Sequence, residues 1–264
     1  MKFIPVSDLH LDINNIRRDT WIDFDKDATL IIAGDVSNAL HGVSYIKRIL
    51  CTHFKNVVLI SGNHEWYSNK CKESVTNIPY ASAIKHSPIP RLKKHADETP
   101  NLYFLDNEMV EIDGTKIYGG TLWFPLLSLN KEEQYNYELL MNDMNFLNNR
   151  LVDEMHHAFI DNMPEKVDIV VSHHLPNKAS FARESDANSR YAPFYHANLS
   201  DDIINRAKVW IAGHQHEPIE KMIGNDVLFI CNPKGSGPLK PGKMNSKSYN
   251  FNYRTGPFLF DAQG

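Results

Sequence analysis

Five short apolar runs in this chain each stop at residues able to bind a metal. The runs are KFIPVS (2–7), TLIIAG (29–34), NVVLIS (56–61), DIVVS (168–172) and VWIAG (209–213). Their length and β-branched content read as strands buried on both faces. Behind them come Asp8 and His10 in SDLHLD, Asp35 in AGDVSN, Asn63 and His64 in SGNHEW, His173 in SHHLP, and His214 and His216 in GHQH. Polar residues do end strands at surfaces, and one Asp-x-His taken alone means little. Five such endings together predict a shared site, because the carboxyl ends of strands line the binding crevice of open α/β sheets. Three endings place a glycine directly before the polar residue, where the backbone must turn sharply.

The donors are aspartate, histidine and asparagine, without cysteine. Mixed nitrogen and oxygen donors suit Mn, Fe, Zn, Ni or Co rather than a cysteine-rich structural zinc. Seven such donors are too many for one ion and enough for two that share a carboxylate.

Further strands are read at NLYFL (101–105) and VLFIC (227–231), and a hairpin turns at Asp113-Gly114 between MVEID and KIYGG. Helical spacing marks 43–54 and, more weakly, 65–78. Residues 131–162 are polar and rich in helix formers. SDDIINRA (200–207) opens on a serine N-cap with acidic residues in its first turn. The stretch 87–101, with its prolines and lysines, reads as a loop, and the basic cluster 85–95 that overlaps it as a solvated one. Alternating strands and helices argue an α/β protein, here a single domain over 1–264.

With 264 residues, 42% hydrophobic and 23% charged, the chain can bury a large core. Its net charge of −4 gives no global basic excess for a nucleic-acid backbone, leaving only a local groove for such a partner. The three cysteines are scattered, which points to a reducing compartment. The N-terminal apolar run is too short for a signal peptide. No run approaches the roughly 18 apolar residues of a membrane span. The expectation is a cytoplasmic protein with no membrane partner. GPLKPGK (237–243) fits part of a phosphate-binding loop but has Met244 where a serine or threonine would hold Mg, and is rejected.

DLHLD, GDVSN, GNHEW, SHH and GHQH, in this order over residues 8–216, resemble the five motifs of the calcineurin-like metallophosphoesterase superfamily. MNDMN (141–145) and CNPKG (231–235) resemble more loosely a bacterial and phage branch of unassigned substrate. The resemblance implies a four-layer sandwich, two mixed β-sheets flanked by helices, with a dinuclear metal site at one edge. It implies that Asp8, His10 and His216 hold one ion, that Asn63, His173 and His214 hold the other, and that Asp35 bridges them. His173 is preferred to His174 because the family's ligand directly follows the strand. The cofactors would be two divalent transition-metal ions, Mn first. The reaction would be hydrolysis of a phosphate mono- or diester by a hydroxide shared between them, with His64 facing the leaving-group oxygen. The substrate would be a phosphorylated small molecule or nucleotide.

Leu11 follows His10, and Asn38 stands where the protein-phosphatase branch has a second aspartate, which disfavours a protein phosphatase. Asn38 could instead orient His64. One rival is a DNA- or RNA-processing nuclease, against which no sizeable cap follows residue 216. Another is a non-catalytic scaffold such as the superfamily's retromer subunit, against which all seven donors and His64 are intact. The loop 175–199 leaves a ligand-bearing strand and carries Arg183, Arg190, Tyr191, Phe194, Tyr195 and His196. Arg183 and Arg190 are its candidate substrate-binding residues.

Overall fold

The computed structural model describes residues 1–68, 84–235 and 249–250. The apolar runs pair into two sheets. In the first, β1 (Lys2–Val6), β2 (Thr29–Ala33), β3 (Asn56–Ile60) and β4 (Leu102–Leu105) lie parallel in that order. In the second, β5 (Glu108–Ile112) and β6 (Thr115–Gly119) form the expected hairpin, with Asp113 and Gly114 both at positive φ. Parallel to β6 run β7 (Val167–Val171), β8 (Ala207–Ala212) and β10 (Val227–Cys231). β9 (Ile219–Ile223) closes that sheet antiparallel to β10, and β11 (Tyr249–Asn250) pairs antiparallel with β1. Both sheets are therefore mixed.

Alternate side chains of one strand enter different cores. Phe3 and Ile31 join Val58, Ile169, Val209 and Ile230 in a core between the sheets. Ile4, Val6, Leu30 and Ile32 point the other way, into a core with Trp21, Leu50, Leu92 and Met155. Val170, Trp210 and Phe229 fill a third core on the outer face of the second sheet. Three cores separated by two sheets make the four-layer sandwich. The anti-parallel edge strands aside, the central strands are hydrophobic on both faces, which explains why they read as continuous apolar runs.

Three expectations need correction. The loop expected at 87–101 contains the helix α1 (Ile89–Asp97). Proline is tolerated in a first turn, where its missing N–H costs nothing, and Ile89, Leu92 and Ala96 then bury one face. The stretch 131–162 is two helices, α2 (Lys131–Leu140) and α3 (Asn149–Asn162), divided by a 3-10 turn at Asn142–Asn145. Asn148 caps α3 by accepting from the Leu151 N–H. The helix expected at 200–207 is only Asp201–Ile204, because the chain enters β8 at Ala207.

Helical residues do occupy 43–53, with a π turn at Ile46–Leu50 in their middle. Most of the weaker helix at 65–78 and all of GPLKPGK lie outside the described residues. Among the described residues no helix is long and apolar enough to cross a membrane.

Candidate metal centre

The carboxyl ends of β1, β2, β3, β7 and β8 reach the same edge of the sandwich. The ladder continues a little beyond the strands: the Asp8 N–H donates to Gly34 O, and the His10 N–H to Asp35 O. The Gly213 N–H donates to His173 O, and the His214 N–H to both oxygens of Asp8 at 3.1 and 3.2 Å. The two sheets are thus joined at the site itself. CNPKG adds a clasp, since the Lys234 N–H donates to Ser7 O and the Gly235 N–H to Asp8 O.

Asp8, His10, Asp35, His214 and His216 all have positive φ, between 44° and 67°. Left-handed backbone costs a side-chain-bearing residue roughly 1–2 kcal/mol. Such strain persists only where the surroundings fix it, and it clusters at functional sites. The turns also need close backbone approach. A Cβ on Gly62 would lie 2.1 Å from Asp35 Oδ1, and one on Gly34 would lie 2.5 Å from Gly62 N.

The side chains converge. Three groups have potential ligand atoms all within 4.8 Å of one another: Asp8 with His10 and His216; His10 with Asp35 and His64; and Asp35 with His173 and His214. Asp35 belongs to two of them, with its Oδ2 3.4 Å from His173 Nε2 and 3.8 Å from His10 Nε2. Asn63 Oδ1 lies 3.0 Å from His173 Nε2. His10 Nε2 and His216 Nε2 face each other at 3.2 Å, and His216 Nε2 is 3.3 Å from Asp8 Oδ1. His214 Nε2 is buried without a hydrogen-bond partner in the protein. Facing imidazole nitrogens, an unsatisfied buried nitrogen and carboxylates among them fit divalent cations.

The buried charges also shift one another. Burial would raise Asp35, but His173 and His64 hold it well below the usual carboxylate range. Burial would lower His173, but Asp35 outweighs it and raises the imidazole to about 9. Burial dominates at His214, which falls well below the ordinary histidine value, and takes His174 down to about 3. His174 packs on the rings of Trp123, Phe124 and His214, with neither ring nitrogen hydrogen-bonded. It is the neighbour of the group rather than part of it.

His64 sits at the rim with its side chain 25% exposed. Its Nδ1 is 2.8 Å from Asn38 Oδ1, the contact anticipated for Asn38. An amide oxygen only accepts, so Nδ1 carries the proton and Nε2 is left toward the site, 3.8 Å from Asp35 Oδ2.

Two supporting residues escaped the sequence reading. Glu65 is 2% exposed and accepts four backbone N–H bonds, from Val36 and Ser37 on Oε1 and from Asp35 and Gly62 on Oε2, at 2.7–3.1 Å. It ties the loops after β2 and β3 together. Burial, with Asp35 beside it, pushes its carboxyl up to about 7. Asp143, in the turn between α2 and α3, is fully buried. Its Oδ1 accepts from Asn63 Nδ2 at 2.9 Å and from the Tyr67 hydroxyl at 2.7 Å. With its amide nitrogen so engaged, Asn63 can present only its oxygen to His173. Glu65 lies inside GNHEW and Asp143 inside MNDMN, yet neither role has a local sequence signal.

Above the centre opens a cleft of about 310 Å³. Asp35, Asn63, His64, His214 and His216 line its inner part, and Tyr67, Leu140, Met141, Asn142, Tyr191, Tyr195 and Gln215 its walls. The loop 175–199 does reach the site, through its tyrosines. Arg183 instead pairs with Glu217 at 3.0 Å, and Arg190 lies over the Tyr191 ring, so neither arginine lines the cleft.

Residues 1–218 match the model of a family described as calcineurin-like phosphoesterase. The chain is 24% identical over 264 residues to an uncharacterized protein of Acanthamoeba polyphaga mimivirus, covering 87% of this chain and 89% of that protein. Among solved structures it resembles the phosphopantetheinyl hydrolase of Mycobacterium tuberculosis with a TM-score of 0.66. That similarity is at 17% identity and covers 89% of both chains, so it speaks to the fold alone.

Two substitutions test the supports. Glu65→Gln turns an N–H₂ toward backbone donors, so it should cost about 1–3 kcal/mol in a denaturant melt and weaken Mn binding in titration calorimetry. Unchanged stability would remove Glu65 from this role. Asp143→Ala frees the Asn63 amide and should weaken Mn binding about 10–100-fold. Binding as tight as wild type would show that Asn63 needs no such anchor.

Proposed function

This chain belongs to the calcineurin-like phosphoesterase family, the metal-dependent hydrolases of phosphate esters, and from that premise we propose a two-ion centre built on Asp35. Asp8, His10 and His216 would hold one ion, Asn63, His173 and His214 the other, and Asp35 both. The observation that carries this reading is Asp35 Oδ2, which lies 3.8 Å from His10 Nε2 and 3.4 Å from His173 Nε2, one donor of each set. When bound, the ions supply a nucleophilic water at neutral pH and offset the charge of the phosphoryl oxygens. Manganese is the ion of first choice, given the oxygen and imidazole donors.

The protein's own share is position and proton handling. The left-handed turns and the Glu65 and Asp143 anchors hold the donors on the ends of rigid strands, with little freedom to lose on binding. Asn38 fixes the ring of His64 through Nδ1 and leaves Nε2 facing the site; when the ring is doubly protonated, Nε2 would give its proton to the departing alkoxide oxygen and leave His64 neutral on Nδ1. The side chains of two sheets meet in one site, which supports reading the chain as one catalytic domain. A phosphorylated small molecule or nucleotide suits a cleft of this size.

Chelation should abolish hydrolysis of phenyl phosphate and Mn should restore it, while Asp35→Ala should lose both binding events in calorimetry. Full activity in thorough chelation would overturn the two-ion reading. His64→Gln should keep its metal content yet slow alkyl phosphates by about 10²–10⁴-fold, and activated aryl esters far less. An equal loss on both would assign His64 to phosphate positioning.

A further inference from the structure

Most of the wall of the cleft is aromatic or aliphatic, and two of its tyrosines already pack on the histidines of the candidate centre. Tyr195 lies against His214 with ring centroids 4.2 Å apart. Tyr67 lies 4.6 Å from His64 and stacks on Phe146 at 4.4 Å, with its hydroxyl engaged by Asp143 and Asn63. The aromatic wall is thus fixed at two places on the candidate centre, before any ligand arrives. Leu140 and Met141 continue it from the end of α2, and Tyr191 stands at the rim, 38% exposed.

The polar wall residues offer less. Gln215 accepts the Ala182 N–H on Oε1 and donates from Nε2 to Ser180 O. Asn142 Oδ1 accepts from Asn145 Nδ2. Charge is also one-sided. Among the described residues lining the cleft none is lysine or arginine. Of the two nearby arginines, Arg183 pairs with Glu217, while Arg190 stays at the rim, over the Tyr191 ring and donating from Nη2 to the Tyr191 hydroxyl. A phosphate group at the centre would be met by the ions. A second anionic group inside the cleft would meet tyrosine faces and leucine and lose hydration, with the nearest arginine, Arg190, engaged on Tyr191 at the rim.

We propose that the cleft selects phosphate esters in which a single phosphate is joined to a flat, uncharged, apolar group that lies against Tyr191, Tyr195, Leu140 and Met141. This deepens the phosphoesterase reading and rests on it. Ring-on-ring contact and apolar burial supply the selectivity, and the pre-formed wall limits the ordering cost. The substrates it disfavours are those with further phosphates or carboxylates, and those with small, fully hydrated alcohols such as glycerol.

The test measures binding separately from turnover, with phosphonates that cannot be hydrolysed. Calorimetry on the Mn-loaded full chain would compare methylphosphonate, 2-naphthylmethylphosphonate and its ring-sulfonated analogue. The naphthyl compound should bind at least about tenfold tighter than methylphosphonate, and sulfonation should erase most of that gain. In Tyr191→Ala the ratio of the naphthyl to the methyl constant should fall several-fold toward one. Because each variant carries its own methylphosphonate reference, a general loss of binding does not imitate this result. Equal constants for methyl and naphthyl compounds in the wild type overturn the proposal, as does tighter binding of the sulfonated analogue. Hydrolysis of phenyl phosphate, assayed beside it, reports on the phosphoesterase reading independently. Activity there with equal phosphonate constants defeats only the selectivity.

Discussion

Two carboxylates buried at the ends of the first two strands set the terms for everything around them. Asp8 is 0% and Asp35 is 1% exposed. An ionised carboxylate taken out of water costs several kcal/mol unless charge and hydrogen bonds replace the solvent. The replacement here comes from across the fold. His173 and His64 hold Asp35, and His216 holds Asp8, while the His64 and His214 N–H groups donate to Asp35 and Asp8 respectively. These partners arrive on β7, β8 and the loop after β3. The sandwich cannot assemble without bringing the donors together, and the carboxylates are not stable until it does. The raised value at His173 is the counterpart of the lowered one at Asp35, since each group favours the charged form of the other.

A second tier keeps the first in place. Glu65 stitches two loops through four backbone donors, and Asp143 governs which end of the Asn63 amide faces the centre. Asp143 can do this only because the helical stretch at 131–162 breaks. A continuous helix would leave the Asn142–Asn145 turn unformed. The same break brings Met141 and Asn142 into the cleft. One interruption of a helix therefore serves both the site and its wall, and Tyr67 joins the two by bonding Asp143 while lining the cleft.

The central strands, the Asp113-Gly114 hairpin and the residues at the strand ends were legible because their signals are local. A strand buried on both faces must be apolar throughout, and a two-residue turn of this type needs residues that accept positive φ. The helix at Ile89–Asp97 was misread because two prolines and three basic residues hid a buried face of Ile89, Leu92 and Ala96. β9 was missed because Ile-Glu-Lys-Met-Ile, a half-exposed edge strand paired on one side only, is neither a continuous apolar run nor a regular alternation. Arg183 looked available for a phosphate, but Glu217 lies 34 positions away in sequence and 3.0 Å away in space.

By itself the sequence determined where the central strands run and which polar residues close them. Burial and backbone turning are properties of a residue and its neighbours, so each run carried its own evidence. Only the tertiary structure decided which of those residues share a site, how Asp35 comes to stand between two groups of donors, and which side chains fix them. Those are distances between site residues up to 208 positions apart, as for Asp8 and His216. No local pattern encodes them. They follow from the order in which parallel strands pack and from the need of each buried charge to find its partner.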